Sequence, residues 1–473
     1  MKVMALGLAV VAASLSTVGV FPTSHAADWS EQDLATAATL RDQALAGTQA
    51  YEHVSSLVTE VGPRSAGSAG DAAAVRWALN RLGNLHFANV RSQDVLVPRW
   101  IRGSTEASIL APFPQSLTAA TLGGSVGTSE EGIEAVVVMV TSLEALNALT
   151  PDIVNGKIVY IDQRMPRTRD VSGYASTVAI RTQGPSVAAK LGAAALMIRS
   201  VGTSPDRVAH TGSLVYRTDA PRIPAFAISN PDADLLSRQV QSGKPVRMRL
   251  RSTARDLPPA WSANVIGEIP GTDRAAEIVL LGAHLDSWDL GHGAIDDGAG
   301  VAIVMEAARA IGELNRKPSR TIRVVLFANE EFGLSGAREY AKIVGDEISK
   351  HVVALEADLG QGPVWRIESR VTPESLPAIA QIQKVLEPLK VEAGGNEAGG
   401  GSDIRPLRDA GVPVLDLALD ANSYFDVHHT ANDTLTQIDR KVLDQSVAAY
   451  AVAAWMAANK QGDFGRLAEE PKK

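Results

Sequence analysis

The chain has 473 residues, 45% hydrophobic and 21% charged, a globular composition long enough for two domains. A net charge of −8 argues against nucleic acid or an anionic membrane surface as partner. There is no cysteine, so disulfides and thiolate ligands are excluded, and any bound metal must be held by nitrogen and oxygen.

Residues 1–26 read as a signal peptide. Lys2 is a short basic start, Val3 to Val20 is apolar and free of charge, and Ser24-His25-Ala26 ends in the small residues that a signal peptidase reads. An uncleaved membrane anchor is the alternative, but Ala, Ser, Thr and Gly dilute the apolar run and the small-x-small site follows it directly. Cleavage after Ala26 removes Lys2 and leaves −9. It predicts an exported protein, periplasmic or extracellular, with no membrane attachment afterwards. A core this large can dispense with disulfides.

Helical spacing predicts helices over Glu31 to Leu45 and Ala50 to Glu60. Gly62 to Gly70 is a Gly/Ser/Pro break. Asp71 to Leu82 resumes a helix with Val75, Trp77, Ala78 and Leu82 on one face, and Phe87 to Val97 reads as a strand. This opening has no obvious site of its own. From about Ile101 short strand-like segments alternate with Gly, Ser and Pro: ASILAPF, EAVVVMV, GKIVYID, AAALMIR, RIPAFAIS and VRMRLR. One clear helix, Pro185 to Leu191, interrupts them. Residues 103–255 are therefore assigned to a separate β-rich domain. His210 is its one notable imidazole, and a lone His is more often a surface or core residue than a ligand.

Leu257 to Trp261 reads as a linker. Beyond it, strand candidates AEIVLLGA, TIRVVLFA, HVVALEAD, PVWRIE and VPVLDLAL alternate with helices over 298–314, 335–347, 373–388 and 437–459. That alternation predicts an α/β fold with a mostly parallel mixed sheet covered by helices. Residues 27–102 and 256–460 would form this domain in two parts, with 103–255 inserted. From about Gln461 to Lys473 the chain is polar, and a frayed tail is expected.

The chemistry is concentrated at strand ends. Gly282 to Gly300 packs His284, Asp286, Asp289, His292, Asp296 and Asp297 into the turn between an apolar strand and a helix. In α/β sheets that is the edge where ligand sites form. Glu330 and Glu331 follow TIRVVLFA, Asp358 closes HVVALEAD, and His428 and His429 follow VPVLDLAL. Each motif alone is ordinary surface chemistry; recurrence at four strand ends is not. With His284, Asp296, Glu331, Asp358 and His429 as ligands, three carboxylates balance two divalent cations and a hydroxide, whereas one zinc would leave the site strongly anionic. Mixed oxygen and imidazole donors suit zinc, with cobalt or manganese as substitutes. Asp296 would bridge two ions, and Asp286 would accept the second ring N–H of His284.

HLDSWDLGHGAIDDGAG, FANEEFGLSGARE, the Asp358 strand end and HTANDT together resemble the M28 family of di-zinc exopeptidases. GPRSAGSAGDAAAV is similar to the family's early turn-helix segment. GKIVYID, GPSVAAKLGAAALMI and IPAFAIS resemble a protease-associated (PA) domain. The resemblance implies two Zn2+ per chain and a bridging Asp296 followed by a cis peptide to Asp297, which stands behind the ligands. It implies Glu330 as general base and Glu331 as ligand, and His429 as the final metal histidine. His428 falls where some relatives carry a carbonyl-polarising tyrosine. Ser402 and Asp403 fall in a loop that lines the substrate pocket. The implied activity is hydrolysis of dipeptides or short peptides, of carboxypeptidase or dipeptidase type, with aminopeptidase as the alternative. A homodimer is also implied. A non-catalytic PA-bearing binding protein is disfavoured because all five ligands and the base are present. A glutaminyl cyclase is disfavoured because such relatives resemble a single-metal site.

Overall fold

Four of the apolar runs become the parallel centre of an eight-stranded sheet in the computed structural model, which describes residues 28–469. The expected signal peptide lies outside the described residues. Across the sheet the order is Ala88–Ile101, Arg255–Ile269, Arg320–Phe327, Arg274–His284, His351–Glu356, Val414–Leu419, Val364–Arg370 and Glu392–Ala393. The third to sixth of these strands are mutually parallel, and the strands flanking them pair antiparallel. Central strands carry apolar residues on both faces because helices cover both. Val279 and Leu281 join the core beneath helices Ala299–Gly312 and Arg440–Asn459. Ile278 and Leu280, one residue out of phase, join the core beneath helix Ser335–Val344.

The opening helices complete this domain. Ser30 caps helix Glu31–Ala46 in a reciprocal box with Asp33. The helix packs on Arg440–Asn459, whose buried Trp455 donates its indole N–H to the Asp33 carbonyl at 3.1 Å.

Residues 105–252 build a second eight-stranded sheet with its own core. The chain leaves the main sheet at Ile101 and rejoins it at Arg255, and these two residues face each other across one antiparallel pair. The module is thus inserted within a β-ribbon. It is less purely β than expected. Ile133–Val140, Ile158–Ile161, Ala195–Arg199 and Ala225–Ile228 run parallel, and parallel neighbours need crossovers. Helix Asn230–Gln241, capped by Ser229 with Pro231 in its first turn, was not anticipated from the sequence.

Two boundary expectations are corrected. Leu257 to Trp261 is not a linker but part of strand Arg255–Ile269, with Trp261 opposite Leu96 and Ala260 opposite Val97. The register then slips before Arg99 meets Leu257, so Pro258 and Pro259 occupy a bulge, where a missing N–H is tolerated. The frayed tail is docked as far as Leu467. Phe464 is fully buried, Gln461 N donates to Asp28 O at 2.8 Å, and Leu467 N donates to Gly411 O at 3.0 Å.

Candidate metal centre

The parallel strands deliver the predicted residues to one edge. His284 ends its strand, and its Nε2 lies 3.1 Å from Asp296 Oδ1 and 3.5 Å from Asp358 Oδ1. His429 Nε2 lies 3.1 Å from Asp296 Oδ2 and 3.0 Å from Glu331 Oε2. Two largely buried donor triads result, His284–Asp296–Asp358, of which Asp358 is partly exposed, and Asp296–Glu331–His429, each with its donor atoms within 4.8 Å of one another. They share Asp296, and the Asp296–Asp297 peptide is cis.

Burial opposes charge on both imidazoles, but the surrounding carboxylates prevail. Asp358, Asp286 and Asp296 carry His284 well above its ordinary pKa, and Glu331 and Asp296 carry His429 up to about 10. Burial pushes Glu331 up to about 7 and Glu330 well above the carboxylate range. Anionic oxygens held this closely in a dry site call for positive charge between them.

The loop around Asp296 is fixed by residues far away in sequence. Arg64, fully buried, donates from Nε to Leu285 O at 2.6 Å, from Nη1 to His292 O at 2.9 Å and from Nη2 to Gly293 O at 2.8 Å. Asp433 accepts from Ile295 N at 2.6 Å and Asp296 N at 3.3 Å. Asp297 accepts from His284 N at 3.0 Å and from Gly300 N at 3.1 Å, at the start of helix Ala299–Gly312. A Cβ on Gly300 would stand 1.9 Å from Ala357 O, so only glycine lets this helix start meet the Asp358 strand end. The opening Gly-rich segment, without a visible site in the sequence, is therefore the clamp of the Asp296 loop.

Asp286 differs from expectation. The atom near His284 Nδ1 is its backbone carbonyl, at 3.0 Å, while its carboxylate is 3.7 Å away. The carboxylate instead accepts from Glu330 N at 2.9 Å and Glu331 N at 3.4 Å, and so shapes the glutamate turn. Trp288, missed in the sequence, donates its indole N–H to Glu331 Oε2 at 2.6 Å. Asp289 pairs with Arg102 at 2.5 Å. His292 contributes its backbone, with its N–H donating to Asp433 O at 2.7 Å.

Ser402 lines a cavity of about 560 Å³ that also touches Asp358, Leu359 and Arg405. Asp403 does not line it. The Gly400-Gly401 turn swings its backbone onto Glu356, to which Asp403 N donates at 3.0 and 3.1 Å, and its own side chain is buried. Burial, then Glu356, pushes that carboxyl well above the usual range. His210, read as an isolated residue, is buried in the inserted module and joins the centre's periphery. Its ring lies 5.4 Å from that of His428 and 5.1 Å from that of His429. His428 stacks on His429 at 3.6 Å, and burial, with the His429 charge, holds its pKa well below the ordinary value.

Comparison with known proteins identifies the family. Residues 264–454 match the model of peptidase family M28. Carboxypeptidase Q of Bos taurus is 34% identical over 414 residues, covering 88% of this chain and 86% of that protein. Aminopeptidase YwaD of Bacillus subtilis is 24% identical over 463 residues, 94% of this chain and 91% of that protein. The crystal structure of a peptidase M28 precursor from Shewanella amazonensis SB2B is 46% identical, with a TM-score of 0.91, covering 93% of this chain and 100% of that one. Likeness of this extent, over the strands that bring His284, Asp296, Glu331, Asp358 and His429 together, means that the chain belongs to peptidase family M28 and is a peptide-bond hydrolase.

Proposed function

We propose that the chain is an exported zinc-dependent exopeptidase that hydrolyses dipeptides or short peptides with two zinc ions per chain. The observation that carries this reading is the pair of donor triads sharing Asp296. Their atoms fit cations. Among the described residues, Asp296 Oδ2, although 3.1 Å from the His429 ring, accepts no aligned hydrogen bond, and Glu331 Oε1 has no partner. The donors are oxygen and imidazole nitrogen, a set that zinc accepts. His284, Asp296 and Asp358 would hold one ion, and Asp296, Glu331 and His429 the other.

When bound, zinc supplies Lewis acidity toward the scissile carbonyl and toward water. Glu330 stands beside Glu331, and among the described residues none donates a hydrogen bond to its carboxylate, leaving it free to take a proton from water and return it to the leaving amine. His428, neutral and next to His429, would offer one N–H to the developing oxyanion. Ser402 lines the cavity where the substrate backbone would lie. Trp288 holds Glu331 to its triad. Trp288→Phe is expected to weaken metal binding at that triad by about tenfold, the scale of lost outer hydrogen bonds, as read by equilibrium dialysis. Unchanged affinity would remove this role.

Likeness to carboxypeptidase Q favours the carboxypeptidase or dipeptidase type, and likeness to YwaD keeps an aminopeptidase as second reading. The leader-like residues 1–26 support export, and among the described residues no helix is long and apolar enough to cross a membrane. The module between Ile101 and Arg255 we read as PA-like. The deciding experiment presents a zinc-loaded preparation with a free dipeptide, its N-acetyl form and its C-terminal amide. Loss of cleavage on both modifications is the expected result and marks a dipeptidase. Loss only on acetylation marks an aminopeptidase, and loss only on amidation a carboxypeptidase. Chelation should abolish activity and zinc should restore it; activity that survives metal removal would overturn the proposal.

A further inference from the structure

The two triads are supported unequally. His284 and Asp358 follow strands of the main sheet, and their connection is internal to it, with Ala357 N donating to Gly282 O at 2.9 Å. His429 instead lies on the segment 421–429, which crosses to the inserted module. Among the described residues, every hydrogen bond from the backbone of 421–429 to anything outside 420–433 runs to that module. Ala421 N donates to Arg169 O at 2.9 Å, Thr203 N to Phe425 O at 2.9 Å, and Thr211 N to His429 O at 2.9 Å. Arg167 donates to the Asn422 carbonyl. Side chains follow the same route: Asp426, two residues before His428, accepts from Arg167 Nη2 at 2.6 Å and Thr203 Oγ1 at 2.8 Å.

His429 also has a backbone φ of 59°, a left-handed state that non-glycine residues seldom adopt. Such a state persists only where its surroundings hold it. Its carbonyl is held by Thr211, and Thr211 is held by Arg181, whose Nη1 donates to Thr211 O at 3.2 Å and to His210 Nε2 at 2.7 Å. Nη2 of Arg181 donates to Tyr174 Oη at 2.6 Å, and the Tyr174 ring stacks on Phe425 at 5.0 Å. Gly212 leaves room for the guanidinium; a Cβ there would meet Arg181 Nη1 at 2.1 Å, and its φ is +125°.

His210, His428 and His429 form a third cluster of ring nitrogens. It is a poor cation site of its own, because the Arg181 guanidinium donates to His210 Nε2 at 2.7 Å and so brings a positive charge onto the cluster, while His429 Nε2 already faces Asp296 and Glu331. Its place is structural, against the back of His429.

We propose that the inserted module is a structural half of one metal subsite: Arg181, His210 and Thr211 are positioning residues that hold His429 in place, so that docking of the module and occupancy of the Asp296–Glu331–His429 triad are linked. The His284–Asp296–Asp358 triad is outside this linkage. The inference rests on reading both triads as metal sites.

The test measures zinc binding to the full chain by competition dialysis with metal analysis, and follows cobalt binding by its visible spectrum. The unmodified chain should take up two ions; a single ion would defeat the reading of the triads, separately from this proposal. Arg181→Met should leave one affinity unchanged and weaken the other at least ~10-fold, the usual cost of losing a partner behind a ligand. Arg181→Lys should lie between the two. Gly212→Ala, which displaces the guanidinium from outside, should repeat the Arg181→Met pattern, and the unchanged first affinity reports that the fold is intact. Should Arg181→Met fail to fold, Asp426→Asn, which loosens the same segment from its far end, carries the comparison with the same one-sided loss expected. Two affinities that stay unchanged, or that fall together in a folded protein, would overturn the proposal.

Discussion

Glu330→Gln is expected to bind metal at both triads as the unmodified chain does and to lose turnover by at least ~10²-fold. The substitution keeps the shape of the side chain and the backbone N–H that Glu330 donates to Asp286 at 2.9 Å. None of the donor atoms in the triads is changed. What disappears is the ability to accept and return a proton. Burial already favours the protonated carboxyl, and the neighbouring Asp358, Glu331 and Asp286 charges add to it against the pull of His284. A carboxylate in such surroundings is a stronger base than an exposed one, which suits proton traffic with water and amine. The measurement is kcat on a free dipeptide beside metal content of the same preparation. Near-normal kcat with two ions bound would remove Glu330 from the mechanism. Loss of metal would instead make it a ligand.

Arg64→Met is expected to cost about 3–5 kcal/mol of stability. The Leu285 and His292 carbonyls would lose their donor, and the Gly293 carbonyl would keep only the Gly298 N–H at 3.1 Å. Each unsatisfied buried acceptor costs about 1–3 kcal/mol, and the methionine's packing returns only part of it. The positive charge is lost as well, beside Asp433, Asp286, Asp297 and Asp296. Urea unfolding of metal-free protein reads the effect without interference from binding. Arg64→Lys should recover little, because one ammonium cannot reach three divergent carbonyls as a guanidinium fork does. A loss below about 1 kcal/mol would mean that the loop holds itself.

The grouping of the two donor triads was legible because each donor follows a local pattern: an apolar run long enough for a buried strand, then a polar turn. Parallel pairing brings such turns to one edge whatever lies between them in sequence, so His284, the Glu330-Glu331 pair, Asp358 and His429 needed no distant information; the choice of Glu331 over Glu330 came from the family resemblance. The supports were not legible for the opposite reason. Arg64 lies 221 residues ahead of its Leu285 partner, and nothing near it in sequence marks it as buried. Trp288 reads as an ordinary core aromatic until its indole N–H meets Glu331. His210 reads as solitary because its neighbours His428 and His429 belong to the other domain. Asp403 was misread because proximity in sequence to Ser402 does not fix which side of a tight turn a side chain takes. Pro258 and Pro259 suggested a linker, although a bulge accommodates them within a strand. The polar composition after Gln461 concealed the single Phe464 that docks the tail.

The facing of Ile101 and Arg255 bears on how the chain folds. Bringing two such distant residues together through an unstructured loop spanning 102–254 would cost roughly 4–5 kcal/mol in closure entropy by logarithmic scaling. The inserted module has its own sheet, with a separate core on one face and the other face joined to the main core, and ordering of that sheet presents both ends of the main chain side by side. The longest antiparallel ribbon in the main sheet then forms as a near-local event, lowering the effective contact order of the domain that carries the two donor triads.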